Sequence, residues 1–283
     1  MFCSVNSALG VSHSLKSINI VVTNGLTFYC ECFLKYKTLY IHLPTTSKTC
    51  VNTQVSGKHP TSSKLKTYME KTTTKAKHTF LVIGAAISWF AVLLQLYLII
   101  LNRVESVPET IIRFFSYYTI LTNILVAFCF TVLLVKPNSR LGIFFSQPSA
   151  LTATTINITV VGVLYNLILR QIWSPVGFQR LADELLHVVI PLLFILYWYF
   201  FAPKGGLGWK NAFSWLIYPF VYAVFALFRG ALSGFYPYPF IDANSLGFNT
   251  VLVNSVGLFI GFFLLSQLFI VITKVMSRRN ANT

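Results

Sequence analysis

The sequence is poor in charged residues, and poorest in acidic ones. Only 10% of its 283 residues are charged, with seven Asp and Glu against 22 Lys and Arg. A soluble domain carries about 25% charged residues, so this chain has too few to solvate a globule of its size. A disordered chain is excluded too, because 55% of the residues are hydrophobic and 16% are aromatic. These proportions indicate an integral membrane protein.

Long apolar segments recur after residue 78. The six that are long enough, or nearly so, to cross about 30 Å of hydrocarbon cover residues 80–101, 114–135, 150–169, 181–202, 212–228 and 250–273. The runs are continuous, which favours helices over the short alternating strands of a barrel. Six prolines of this region fall between the runs, where a missing amide costs nothing: Pro108, Pro137, Pro148, Pro175, Pro203 and Pro239. We therefore predict an all-α integral membrane protein with a bundle of six transmembrane helices.

The composition changes abruptly near residue 78. Residues 1–77 are rich in Ser, Thr, Lys and Cys, and we expect a disordered or non-native extension that the core does not need. Their one apolar stretch, INIVVTNGLTFYCECFLKY, is too interrupted by Asn24 and Gly25 to predict a span. Residues 1–68 precede Met69 and are candidates for an over-long start. Residues 78–276 are the predicted membrane domain, and residues 277–283 a basic tail.

The basic residues are distributed unevenly between the two ends of the predicted helices. One end carries most of the Lys and Arg, and the other carries fewer together with all five acids of the core. The richer end includes Lys64, Lys66, Lys71, Lys75, Lys77, Lys136, Arg140, Lys204, Lys210, Lys274, Arg278 and Arg279. Loops rich in Lys and Arg stay in the cytoplasm. We predict a multi-pass protein of the plasma (inner) membrane with both termini cytoplasmic.

Two polar side chains are predicted at similar depth in the outer half of the bilayer. His187 is the only histidine within the apolar region, and it lies about 9 Å below the start of the fourth span at 1.5 Å per residue. Thr119 reaches nearly the same depth on the second span. Ser116, Thr119 and Asn123 follow an i, i+3, i+7 spacing and would share one helical stripe. Asp183 precedes His187 by four residues, so its carboxylate is expected to orient the imidazole.

A structural interpretation of the same residues remains open. Ser and Thr in membrane helices commonly bond to their own backbone or join neighbouring helices. Asn123, Asn157, Asn166 and Asn254 are suitable for interhelical hydrogen bonds that involve no ligand. A lone intramembrane histidine is harder to explain by packing, so His187 is the strongest functional candidate.

Several chemistries lack the residues they need. His187 and Cys129 do not make a zinc set, and a second axial histidine for haem is missing from the membrane region. The segment PKGGLGW has no GK[ST] and is not a phosphate loop. No aromatic and basic platform for nucleic acid lies outside the membrane. We expect no cofactor, no metal and no nucleic-acid partner.

Three segments resemble the Pr-six-Pr family of prokaryotic six-helix membrane proteins. They are SYYTILTNILVAF, LLHVVIPLLFILYW and FRGALSGFYPYPFIDANSLGF, and they occur in the family's order within residues 78–275. That family has no established activity to transfer, and residues 1–77 are not covered.

More distantly, the sequence is similar to the androgen-induced (FAR-17a type) membrane hydrolases, which cleave fatty acid esters of hydroxy fatty acids. Their Tyr-x-Thr motif falls on residues 117–119, and their histidine motif on His187 with Pro191, although the spacing here is four residues where theirs is five. Their Tyr-Pro-Phe-x-acid loop falls on residues 238–242. The resemblance implies that a threonine and a histidine on different helices carry catalysis.

The similar depth of Thr119 and His187, with the roles that the resemblance implies for them, leads to the hypothesis of a threonine-type lipid-ester hydrolase with its site in the outer leaflet. Thr119 would attack the ester carbonyl, and His187 would accept its proton. Asp183, with Glu184 as a weaker candidate, would orient His187, and Asn123 or Ser116 would bind the oxyanion. In the loop that faces the substrate, Arg229, Tyr238 and Asp242 would cover the pocket. The alternatives are a non-enzymatic lipid or small-molecule binder or transporter, and a purely structural membrane protein.

Overall fold

The computed structural model describes residues 18–23, 27–32, 39–40 and 62–281, with side chains described for residues 74–279. The chain divides into two compact units, residues Met1–His59 and Pro60–Thr283. In the first unit three antiparallel strands are described, in the order β1–β2–β3, which the sequence did not predict. They are β1 (Ile18–Thr23), β2 (Thr27–Cys32) and β3 (Leu39–Tyr40). The rest of residues 1–61 lies outside the described residues, so the expected extension stays a prediction there.

The second unit is helical throughout its described secondary structure. Its helices are α1 (Ser62–Leu101), α2 (Val107–Ser116), α3 (Tyr118–Val135), α4 (Arg140–Ser146), α5 (Pro148–Leu167), α6 (Gly177–Glu184), α7 (Ile190–Phe201), α8 (Asn211–Trp215), α9 (Ile217–Ser233), α10 (Ala243–Leu246) and α11 (Phe248–Ala281). A π-helical turn, Leu185–Val189, joins α6 to α7, and short 3₁₀ turns occupy Leu169–Gln171 and Pro239–Ile241.

Among the described residues, six helical segments are long and apolar enough to cross a membrane. They cover Thr74–Leu101, Tyr118–Val135, Pro148–Gln171, Gly177–Phe201, Asn211–Ser233 and Phe248–Arg279. Large apolar side chains also cover the outside of the bundle, as at Phe90, Leu93 and Phe220, each more than half exposed. Such a surface needs a hydrocarbon surrounding. The prediction of an all-α, six-span membrane protein is confirmed.

The first helix begins earlier than the predicted membrane domain. α1 starts at Ser62, just after Pro60, and residues 62–77 contain no Pro or Gly that would end it. A segment that the sequence assigned to the extension is therefore the first part of the first membrane helix. At the other end, α11 continues to Ala281, into the predicted tail.

The second predicted span is broken near its outer end. Tyr117 adopts an extended conformation (φ −81°, ψ 126°) between α2 and α3, so residues 114–135 are not one helix. Ser106 caps α2, and the acidic Glu109 lies in its first turn and the basic Arg113 in its last, so α2 has its own helix signals. The stripe predicted from Ser116 through Asn123 is wrong, because Ser116 ends one helix while Thr119 and Asn123 belong to the next.

The fourth span contains a π-turn that Pro191 accompanies. Pro191 has no N–H, so a carbonyl one turn before it loses its usual donor. Side chains of neighbouring helices bond to the carbonyls in this turn. Asn123 Nδ2 donates to Leu186 O at 3.2 Å, and Asn166 Nδ2 donates to His187 O at 3.4 Å. Membrane helices tolerate such irregularities where neighbours satisfy the released groups.

Glycine allows α5 to approach this turn closely. A Cβ at Gly162 would lie 3.1 Å from His187 O and 3.3 Å from the Pro191 Cβ. Small residues at helix interfaces permit such contact in membranes. The segment that carries His187 is thus held against α5 at one side and bonded to α3 at another.

Candidate functional site

A cavity of about 500 Å³ opens at the end of the bundle where α1 and α3 approach the loops before α6 and after α9. Among the side chains that line it are Thr119, Tyr165, Asp183, His187 and Tyr238. Arg103, Glu105 and Arg113 lie on its wall as well, so the cavity has a charged part. The two residues predicted as catalytic therefore share one cavity.

A second, smaller cavity of about 80 Å³ adjoins the first at Thr119 and Tyr238. Its lining is almost entirely apolar or aromatic and includes Val161, Ala223 and Phe262. Thr119, Tyr165, Leu169 and Tyr238 line both cavities. A ligand that reaches Thr119 can thus meet a polar environment on one side and an apolar one on the other.

Thr119 is the second residue of α3, where backbone amides have no partner within the helix. Its N–H donates to the Tyr238 hydroxyl at 3.1 Å, and its Oγ1 lies 3.2 Å from the same hydroxyl. Burial is the main reason why the pKa of Tyr238 rises to about 12, and its hydrogen bonds with Thr119 act in the opposite direction. The phenol therefore remains a neutral hydrogen-bond donor at ordinary pH.

His187 is held by its backbone neighbour and by an aromatic ring. Its Nδ1 lies 2.9 Å from Asp183 O. A carbonyl oxygen can only accept, so in the neutral imidazole Nδ1 carries the proton and Nε2 has the lone pair. The ring stacks on Tyr165 with 3.8 Å between centroids and 13° between planes. His187 is 9% exposed and lines the larger cavity, as a base that acts through Nε2 would need.

The expected role of the Asp183 carboxylate is wrong. The carboxylate accepts hydrogen bonds from Trp173 Nε1 at 2.6 Å and Gln179 Nε2 at 3.2 Å, while the backbone carbonyl of Asp183 contacts the imidazole. Spacing by four residues brings both groups near His187, but in this helix the carbonyl is nearer to Nδ1. Glu184 does not orient His187 either, because its carboxylate bonds with Arg170 at 2.7 Å.

The two oxyanion donors predicted from the stripe are engaged elsewhere. Asn123 Nδ2 donates to Thr119 O at 2.8 Å as well as to Leu186 O. Its Oδ1 is buried and has no hydrogen-bond partner, but an oxygen of this kind cannot donate to an oxyanion. Ser116 Oγ donates to Ile112 O at 2.6 Å, and Tyr222 donates to Ser116 O. Both side chains stabilise helices. The side-chain group that contacts Thr119 Oγ1 is instead the Tyr238 hydroxyl, at 3.2 Å.

The asparagines instead follow the structural interpretation. Tyr118 donates to Asn157 Oδ1 at 2.5 Å, and Asn254 Nδ2 donates to Phe240 O at 2.9 Å. Together with the bonds of Asn123 and Asn166 to the π-turn, all four predicted asparagines make hydrogen bonds between elements.

Within the part of the chain whose side chains are described, no three His, Cys, Asp or Glu residues converge in an arrangement for a metal ion.

Of the three residues predicted in the loop, only Tyr238 reaches the cavity, and the placement of Arg229 is wrong because it lies in α9. Tyr238 lines both cavities. Arg229 is paired with Glu109 at 2.9 Å and is only 10% exposed, so its guanidinium is not free to meet a carboxylate of a ligand. Asp242 caps α10, where its Oδ1 accepts from the amides of Asn244 and Ser245. The Ser245 hydroxyl also donates to the carboxylate. This hydrogen bond is the main cause that lowers the pKa of Asp242, and the bonds from the two amides lower it further.

Sequence reasoning missed an ion-pair network beside the larger cavity. Arg113 pairs with Glu105 at 2.9 Å and with Glu109 at 2.8 Å, and Glu109 also bonds with Arg229. Bonding with Arg113, and then with Arg229, lowers the pKa of Glu109. The i, i+4 spacing of Glu109 and Arg113 was a usable signal, whereas no sequence pattern announces the pairing with Arg229 or the stacking of Tyr165 on His187.

Comparison with known proteins adds no relative. No family model, curated protein or solved structure matches the chain. The resemblance to the Pr-six-Pr family and to the FAR-17a type hydrolases therefore stays a prediction.

Proposed function

We propose that this membrane protein is a hydrolase of lipid esters, with Thr119 as nucleophile and His187 as general base. One observation carries the proposal: a threonine hydroxyl and an imidazole whose Nε2 has the lone pair line the same cavity. We also propose that the chain is related to the Pr-six-Pr proteins and, more distantly, to the FAR-17a type hydrolases.

The reaction would proceed through an acyl-threonine. Thr119 Oγ1 attacks the ester carbonyl and His187 Nε2 takes the hydroxyl proton. The tetrahedral intermediate expels the alcohol, which receives that proton from His187. Water then attacks the acyl-threonine, with His187 again as base, and releases the carboxylic acid and Thr119.

Tyr238 is the proposed donor to the oxyanion. Its oxygen already accepts from the Thr119 amide, so its own proton is free to point at Thr119 Oγ1 or at a bound substrate. A neutral phenol that is only 9% exposed suits this role. An ester with an apolar chain suits the adjoining cavity.

The test uses the purified full chain in detergent, a fluorophosphonate probe, and esters with acyl chains of graded length. We expect labelling of the wild type, and loss of labelling and turnover by about 10³-fold or more in Thr119→Ala and His187→Gln. Thr119→Ser should retain part of the activity, because it keeps a hydroxyl group.

Thr122→Ala is the matched control. Thr122 is a buried threonine on the same helix that contacts Tyr218 and belongs to neither cavity lining. Labelling that persists in Thr119→Ala, or folded wild type that is neither labelled nor active, would contradict the hydrolase.

A non-enzymatic lipid binder is the second candidate. It is favoured by the hydrogen bond of Thr119, which goes to Tyr238 and leaves the imidazole to its backbone partner. Native mass spectrometry separates the two functions: a binder retains an intact lipid ester, whereas the hydrolase converts it to acid and alcohol.

A further inference from the structure

A third cavity lies at the opposite end of the bundle, far along the helices from Thr119. It has a volume of about 230 Å³ and is formed by the loop after α7 and the last turns of α11. The loop contributes Gly205 and Gly206, and α11 contributes Thr273, Lys274, Ser277 and Arg278. We call it the basic-end cavity.

The loop that lines the basic-end cavity is held at both flanks and leaves open space beside its two glycines. The Lys204 ammonium bonds with the carbonyls of Trp198 and Ala202, and the Gly208 amide donates to Asn211 Oδ1 at 2.8 Å, so both flanks of the loop are held. In the described part of the chain, the amides of Gly205 and Gly206 form no backbone hydrogen bond. A Cβ at either glycine would meet nothing within 4 Å.

The helix side supplies cations and a hydroxyl group. Lys274 Nζ lies 3.9 Å from the centre of the Trp209 ring, which holds the ammonium beside the loop. Arg278 follows one turn later and is exposed, with Ser277 beside it. Guanidinium, ammonium, hydroxyl and backbone amide groups together are the donors that bind phosphate oxygens.

The charge around the basic-end cavity has one sign. Lys136, Arg140, Lys204 and Lys210 lie at the same end of the bundle, whereas the acids among residues 74–279 lie at the other. Basic pockets between transmembrane helices on the cytoplasmic side bind the head groups of anionic lipids. The predicted orientation places the basic-end cavity on that side.

We propose that the basic-end cavity binds a phosphate group, carried by the head group of an anionic phospholipid or by a soluble phosphate ester. Arg278 and Lys274 pair with the phosphate oxygens, and the amides of Gly205 and Gly206 donate to them. The site is separate from the proposed hydrolase and does not depend on it.

The lipid arm of the test measures retained lipids. The purified full chain is equilibrated in mixed micelles of phosphatidylglycerol and phosphatidylcholine, and bound lipids are counted by mass spectrometry. The wild type should prefer phosphatidylglycerol, and Arg278→Gln should lower that preference by roughly fivefold, as expected for one cation at an anionic surface. Arg140→Gln removes the same charge from the same end outside the cavity and should keep the preference.

A second variant blocks the basic-end cavity without changing charge. Gly205 has an ordinary φ and open space around its Cα, so Gly205→Val fills the cavity without backbone strain. We expect it to lower the preference as Arg278→Gln does. An unaffected Gly205→Val, or an equal loss in Arg140→Gln, would mean attraction by the surface as a whole and would overturn the proposal.

The soluble arm distinguishes the two sources of phosphate. Thermal unfolding is followed with inorganic phosphate and with glycerol 3-phosphate. Protection of the wild type that is lost in Arg278→Gln identifies a soluble phosphate ester. Lipid preference without such protection identifies the phospholipid, and the absence of both in folded wild type refutes the site.

Discussion

Tyr238 connects the two cavities through a single hydroxyl group. It is 9% exposed, lines both cavities, and its oxygen contacts both the amide and the hydroxyl group of Thr119. The Thr119 amide has no partner within α3, so this contact also closes the start of the helix. The phenol thus serves the stability of α3 and the proposed chemistry at once.

Tyr238→Phe should therefore affect both properties. Loss of the hydroxyl leaves a buried amide without its partner, which costs about 1–2 kcal/mol of unfolding free energy. Ester turnover should fall by about 10²-fold, as for other oxyanion donors. Tyr236→Phe, in the same loop, is the control and should change neither measurement.

The difference in stability between wild type and Tyr238→Phe should depend on pH, and the direction of that dependence follows from the pKa of Tyr238. Because burial raises the pKa of Tyr238 from 10.0 to about 12, folding favours the neutral phenol. The stability that this shift contributes is complete below pH 10 and is lost as the pH rises to about 12. The gap in unfolding temperature between wild type and Tyr238→Phe should narrow over that interval, and a gap that widens there contradicts the assignment.

The sequence predicted the two central residues better than their partners. Thr119 and His187 were placed at similar depth from helix rise alone, and they do line one cavity. The predicted partner of His187, the Asp183 carboxylate, was wrong, because a four-residue spacing cannot distinguish a carboxylate from the backbone carbonyl of the same residue. Tyr165 and Tyr238 reach the site from distant parts of the chain, and no local period encodes such contacts.

The packing of α5 against the π-turn is the element-scale feature closest to the site. Gly162 leaves room for His187 O and Pro191, and the irregular turn sets the position of the imidazole. Sequence periodicity predicted a continuous fourth helix, and it likewise missed the break at Tyr117. Both irregularities depend on hydrogen bonds from other elements, which a single segment does not reveal.

Gly162→Ala should displace the histidine-bearing turn. The new methyl group would lie 3.1 Å from a backbone oxygen, so the turn must move by a few tenths of an ångström. We expect turnover to fall by about tenfold while the protein remains folded. Gly257→Ala is the matched control, because a Cβ there meets nothing within 4 Å. Equal activities in the two variants would show that the contact does not position His187.

The Glu109 network joins α2 to α9. Hydrogen bonds from Arg113 lower the pKa of Glu109 below 4.5, so the network contributes stability above that pH and loses it as the pH falls below. Glu109→Gln should lower the unfolding temperature at neutral pH, because it leaves the nearly buried Arg229 without its acid.

Acid titration of unfolding checks this assignment. The wild type should lose stability more steeply than Glu109→Gln as the pH falls through 4.5. Glu105→Gln leaves the contact between Glu109 and Arg229 intact and serves as the control. Identical acid profiles for wild type and Glu109→Gln would show that the network does not connect the helices energetically.

At the scale of the whole molecule, the acidic and basic residues lie at opposite ends of the bundle, and so do the two proposed sites. The described acids and the larger cavity lie at one end, and the basic-end cavity and most cations lie at the other. The even number of candidate spans predicts that both ends of the helical unit lie on the same side of the membrane. The number of spans was predictable from composition because each lipid-crossing helix must be apolar along its length.

The orientation remains a prediction that labelling can decide. Lys and Arg are retained in the cytoplasm during insertion, so the loop around Gly208 should face inward and the loop around Ser174 outward. In a variant whose native cysteines are replaced by Ser, a membrane-impermeant thiol reagent on intact cells should label Ser174→Cys and spare Gly208→Cys until the cells are opened. The reverse pattern would put the Thr119 cavity at the cytoplasmic face, and the proposed hydrolase would then act on lipids of the inner leaflet.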